Sequence, residues 1–154
     1  IPILCKDFIV DPVQIRKAKS VGADAILLIV AALEQQQLQN LYSYAMDMDL
    51  EVLVEVHNKE ELLRALTIGA TIIGINNRNL STFDVNLQTT INIAKQFDRK
   101  GILFISESGM ACREDVQLVY DAGVAGVLVG ETLMRAKDIG EIMLELSLKE
   151  VTSP

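Results

Sequence analysis

The chain has 154 residues, half of them apolar, with a formal net charge of −7 and only 5% aromatic residues, none of them Trp. That length can bury a real core, which must here be aliphatic. The acidic balance argues against a protein that lives on nucleic acid or an anionic membrane, and no apolar run reaches the roughly 18 residues that a membrane span needs.

In chain order, short apolar runs alternate with amphipathic stretches. Residues 3–10 read as a first strand, and the chain begins inside it. Residues 11–20 read as a helix, with Asp11 as N-cap and Pro12 at the first helical position. A strand over 25–30 follows, then a helix over 34–48 with Leu38, Leu41, Tyr42 and Ala45 on one face. The strand at 51–56 leads to a helix over 58–68, where Asn58 and Glu61 make a capping-box-like start. Further strands at 71–75, 102–105 and 126–129 alternate with helices at 86–97, 113–122 and 138–148.

Three boundaries share one punctuation: Val21-Gly22-Ala23-Asp24, Ile68-Gly69-Ala70-Thr71 and Ala122-Gly123-Val124-Ala125. Each predicts a helix closed by Gly and followed at once by a buried strand. This is the pattern of tandem βα units on a parallel sheet, in one domain over 1–154. No GxGxxG or GxxxxGK[ST] occurs, and polar residues gather at the C-terminal ends of strands. That favours a (β/α)8 TIM barrel over an open doubly wound sheet. Eight units close a barrel and six are counted, so an incomplete barrel is expected.

Charge in a strand buried on both faces needs a reason. Lys6 lies in the first run, Glu55 in the third, Asn76 after Ile72-Ile73-Gly74-Ile75, and Glu107 and Ser108 after Leu103-Phe104-Ile105-Ser106. By parity Lys6 goes with Leu4 and Phe8, and Glu55 with Leu53 and His57. A Lys and a Glu facing each other at low dielectric suit proton transfer; a structural ion pair is the bland alternative. Ser108-Gly109 and Gly130-Glu131 place small residues and backbone N–H groups before helix starts, as phosphate sites do, although Gly also serves simple turns. His57, the single histidine, is an acid or base, or a cap after its strand. Arg78 anchors substrate or pairs with a carboxylate. Cys5 and Cys112 lie far apart and read as free thiols.

The ordered stretches Pro2-Ile3-Leu4-Cys5-Lys6-Asp7-Phe8-Ile9, Leu53-Val54-Glu55-Val56-His57, Ile73-Gly74-Ile75-Asn76-Asn77-Arg78-Asn79-Leu80, Ser106-Glu107-Ser108-Gly109 and Val127-Leu128-Val129-Gly130-Glu131-Thr132 together resemble the indole-3-glycerol-phosphate synthase family of tryptophan biosynthesis. The resemblance covers essentially the whole chain. It implies a barrel lyase that converts 1-(2-carboxyphenylamino)-1-deoxyribulose 5-phosphate to indole-3-glycerol phosphate, with loss of carbon dioxide and water, using no cofactor and no metal. It implies Lys6 as general acid on the substrate carbonyl, Glu55 as acid/base for the dehydration, and Asn76 on substrate hydroxyls. Ser108, Gly109, Gly130 and Glu131 match the phosphate loops. Phe8 and Leu27 would wall the anthranilate ring, aided by Phe83, with Arg78, Glu107 and Ser108 as further substrate contacts.

On this resemblance the six strands are numbers three to eight of the barrel. The family's first-strand segment, of the form E-x-K-x-x-S-P-S, and its N-terminal helical extension have no counterpart in the chain. The chain alone is therefore expected to be impaired or inactive. Two alternatives stand: a non-catalytic fragment that self-associates through exposed strand edges, or another phosphate-binding barrel such as a tryptophan-pathway isomerase. The expected setting is the cytoplasm, with a small phosphorylated substrate and neither nucleic acid nor membrane as partner.

Overall fold

A computed structural model describes residues 1–97 and 101–148. Its elements alternate in the expected way: β1 (Leu4–Cys5), α1 (Pro12–Ser20), β2 (Ala25–Ile29), a 3-10 turn (Val30–Ala32), α2 (Gln35–Asp47), β3 (Glu51–Val56), α3 (Lys59–Thr67), β4 (Ile72–Asn76), α4 (Gln88–Gln96), β5 (Leu103–Glu107), α5 (Arg113–Asp121), β6 (Gly126–Leu128), α6 (Glu131–Arg135) and α7 (Ile139–Leu146). Neighbours in the sheet follow chain order, β1 to β6. This is the α/β class expected, with the strand succession of a (β/α)8 barrel two strands short of eight. No helix among the described residues is long and apolar enough to cross a membrane.

The chain divides into two compact units, with the boundary inside β4 after Gly74; Gly101 and Ile102 go with the first unit and β5 onwards with the second. In the first unit β1, β2 and β3 pair in parallel, with Leu4 opposite Ala25, Leu27 opposite Leu53 and Ile29 opposite Glu55. Registered partners of a parallel pair share a face. Leu4, Leu27, Leu53 and Glu55 therefore lie on one side. Ile26, Leu28, Val52 and Val54 on the other side are fully or nearly fully buried, as are Ile15, Leu38, Leu41, Leu62 and Ala65 from the helices. Both faces are covered, which is why these strands read as unbroken apolar runs.

The helix starts are built by side chains. Asp11 accepts from the N–H of Val13, and Gln14 accepts from Val10 and Asp11 while donating to the Phe8 carbonyl. Arg64 of α3 donates to the carbonyls of Val30 and Leu33 and to Gln35 Oε1, holding the 3-10 turn against α2. The helix ends follow the Gly rule: Gly22, Gly69 and Gly123 have φ of 91°, 80° and 92°, the left-handed region that a side chain resists.

In the second unit β5 and β6 pair in parallel, with Ser106 opposite Val127 and Glu107 opposite Leu128. Met110, Val116 and Leu146 form a buried cluster, packed by Leu87, Val127, Val129, Leu133 and Ile142.

One strand is shorter than its apolar run suggests. Residues 3–10 read as a strand, yet only Leu4–Cys5 pairs. Beyond it the backbone finds side-chain partners instead of a ladder: Asp7 Oδ1 accepts from Phe8 N–H, and Gln14 takes up Val10, Asp11 and Phe8. Phe8 therefore lies outside the strand, in the segment after β1, and is 65% exposed.

Candidate active site

In the first unit the polar residues form a chain of contacts. Lys6 follows β1 directly, and its Nζ donates to Glu55 Oε2 at 3.4 Å. The lysine side chain is 40% exposed and the glutamate 3%, so one carboxylate is carried into the protein against a cation that still touches solvent. Glu55 Oε1 lies 3.3 Å from His57 Nε2, and His57 Nδ1 lies 3.0 Å from Glu61 Oε2. The same Glu61 oxygen accepts the backbone N–H of His57 at 2.8 Å, while Glu61 Oε1 accepts from Asn58 Nδ2 at 2.8 Å. Asn58 caps α3 by accepting the N–H of Glu61. Glu61 thus does not close a box on the cap residue; it reaches one residue further back, to the histidine. Leu27, buried on β2, shares the face of Glu55.

Burial opposes charge on the His57 ring, but the Glu55 carboxylate beside it and the hydrogen-bonded Glu61 prevail and raise its pKa from 6.5 to about 9. Burial pushes Glu61 the other way, yet its bonds to the ring and backbone of His57 hold it below the usual carboxylate range. A folded pKa above the unfolded one gives stability that is complete below pH 6.5 and fades as pH rises through about 9. The full contribution is on the order of 3 kcal/mol. The urea midpoint should therefore fall between pH 6 and pH 9, and His57→Gln should remove most of that fall. Equal losses in both proteins would sink this assignment.

In the second unit Asn76 ends β4, and its Oδ1 accepts the N–H of Arg78 at 3.0 Å. Arg78 is paired with a carboxylate. Its guanidinium meets Glu131 Oε2 at 2.8 Å, and Arg135 meets the other oxygen of Glu131 at 3.0 Å. Phe83 sits in a turn that Asn79 builds by accepting from Ser81 and Thr82; it has φ 62° and is 66% exposed. Glu107 ends β5 and is buried.

Ser108 and Gly109 follow with φ of 64° and 90°. A Cβ at Gly109 would lie 2.6 Å from Val85 Cγ1 and 3.1 Å from Leu87 Cδ2, so only glycine fits there. Because Glu107 and Leu128 are register partners, the segments Ser108-Gly109 and Gly130-Glu131 leave neighbouring strands almost side by side. Thr132 Oγ1 donates to the Met110 carbonyl at 2.7 Å and ties the two together.

One group of residues behind this loop was not singled out from the sequence. Asn77 is 3% exposed. Its Nδ2 donates to Ser106 Oγ and to the carbonyls of Glu107 and Ser108, all within 3.0 Å. Its Oδ1 accepts from the N–H and Oγ1 of Thr90, and Thr90 Oγ1 meets Ser106 Oγ at 2.8 Å.

A family model for indole-3-glycerol phosphate synthase matches residues 1–146. The chain belongs to the indole-3-glycerol phosphate synthase family. It is 53% identical over 139 residues to the indole-3-glycerol phosphate synthase of Oceanobacillus iheyensis, covering 90% of this chain and 53% of that protein. Its identity to the Bacillus cereus synthase is 52%, covering 90% and 55%. The chain thus spans about half the length of the curated synthases it matches. A solved mandelate oxidase with benzoyl-formic acid superposes at a TM-score of 0.66 with 19% identity, over 82% of this chain and 48% of that one; that likeness is of fold alone. The family is the one that the sequence stretches resembled.

Proposed function

We propose that the protein carrying this chain closes the indole ring of indole-3-glycerol phosphate, with Lys6 and Glu55 as its acid–base pair. The observation that carries this reading is their geometry. A partly exposed ammonium stands 3.4 Å from a buried carboxylate, on positions that match the family's motifs. The ammonium polarises the substrate's keto oxygen and protonates it as the aryl carbon attacks. Loss of carbon dioxide restores the aromatic ring. Glu55 then serves the dehydration, and Asn76 orients the substrate hydroxyls.

For the phosphate, the backbone N–H groups of Ser108, Gly109, Gly130 and Glu131 are the proposed ligands. The Glu131 carboxylate would repel an anion, but Arg78 and Arg135 both pair with it and offset its charge. Leu27, Phe8 and Phe83 are the apolar residues proposed for the anthranilate ring, and Arg78 and Glu107 further substrate contacts.

The test is turnover of 1-(2-carboxyphenylamino)-1-deoxyribulose 5-phosphate by the full-length protein that carries this sequence, followed as release of carbon dioxide and of indole-3-glycerol phosphate. Stoichiometric release of both is expected. Binding of substrate without either would refute the reading.

A further inference from the structure

The sequence Glu55-Val56-His57-Asn58, with Glu61 three residues on, joins the proposed acid–base carboxylate to the first turn of a helix. Both ring nitrogens of His57 face carboxylate oxygens, Nε2 at 3.3 Å from Glu55 and Nδ1 at 3.0 Å from Glu61. An ionised carboxylate only accepts hydrogen bonds. A neutral imidazole would donate to one partner and set a lone pair against the other. Nδ1 is hydrogen-bonded to Glu61, whereas Nε2 and Glu55 face each other as an ion pair without hydrogen-bond geometry, and a ring protonated on both nitrogens supplies the positive charge that both carboxylates meet. Glu55 and Glu61 are charged groups beside this ring, and Lys6 Nζ lies 3.4 Å from Glu55 Oε2. Glu61 is in turn held by Asn58 and by the His57 backbone.

We propose that His57 is a positioning residue for Glu55, an imidazolium anchored by Glu61 that fixes one oxygen of the Glu55 carboxylate and leaves the other to Lys6. This rests on the acid–base assignment of Glu55 made above. In this role the histidine acts through Glu55. It restricts the rotation of a carboxylate and places a positive charge beside it. Without that charge the carboxylate is easier to protonate. Partners that orient a reactive group in this way are typically worth about 10–100-fold.

The experiment compares the full-length protein with His57→Ala and Glu61→Gln. His57→Ala should lower kcat by about tenfold or more with KM little changed, and should move the acidic limb of the pH profile to higher pH. Glu61→Gln keeps the Asn58 cap, and should move the limb the same way by less. A folded His57→Ala protein with an unmoved pH profile would overturn the proposal. Should the alanine variant fail to fold, the wild-type ring decides. Nitrogen NMR should find both ring nitrogens protonated at pH 7.5 and a lower titration midpoint in Glu55→Gln; a neutral ring at pH 7.5 would refute it. Wild-type protein without synthase turnover would instead overturn the function, and the ring titration would still decide the role of His57.

Discussion

Lys6→Ala is expected to lower turnover by about two to four orders of magnitude, the usual worth of a positioned general acid, while barely changing stability. The two halves of this expectation come from one geometry. The lysine side chain is 40% exposed, and when it is removed the buried Glu55 carboxylate still faces the His57 ring, so its charge is not left uncompensated. A purely structural pair would give the reverse pattern, with activity lost only as the protein unfolds. Lys6→Arg separates charge from proton. A guanidinium can still meet Glu55, but it does not give up a proton near neutral pH. The arginine variant should therefore fold normally, bind substrate and remain slow. Rates within threefold of wild type for both variants would remove Lys6 from the chemistry. The measurements are kcat, KM and the urea midpoint of each protein.

The second large effect is on stability. Asn77→Ala is expected to cost about 3 kcal/mol or more, because a buried group left without its partner loses its full solvation. Several are left at once: the N–H and hydroxyl of Thr90, the Ser106 hydroxyl, and the carbonyls of Glu107 and Ser108. Asn77→Asp should be at least as harmful, since it trades two donors for a buried charge. Urea unfolding measures both. A loss under 1 kcal/mol for Asn77→Ala would mean that water replaces the amide. The functional consequence follows from the Ser108 carbonyl, which Asn77 holds at the start of the turn proposed for phosphate. A surviving Asn77→Ala protein should bind inorganic phosphate more weakly than wild type.

The alternation of elements was readable because its physics is local. Asp11-Pro12, Asn58 and the three Gly residues each act within a few residues of themselves, and each did so in the structure. The strand cores were equally plain, since strands covered on both faces must be apolar. Residues 3–10 misled because an apolar run records burial and says nothing of pairing; Gln14, a residue inside the next helix, supplies what the ladder would have. Lys6 and Glu55 stood out as charge among aliphatic residues, and the structure brings them together. Asn77 did not stand out. Its neighbour Asn76 drew the reading, and only register shows that Asn77 meets Ser106 across 29 residues of chain. Glu61 looked like an ordinary helix-start acid, and its grip on His57 is a matter of side-chain reach that spacing alone cannot rank.

The double acceptance by Glu61 has a dynamic meaning. One carboxylate oxygen takes both the backbone and the ring of His57, so loosening of the opening of α3 would also free the imidazole. First turns of helices are where local unfolding is easiest. Fraying of that turn would carry Glu61 away from the ring, so the short helix after β3 acts as a latch whose opening would unfasten the histidine from its place beside Glu55.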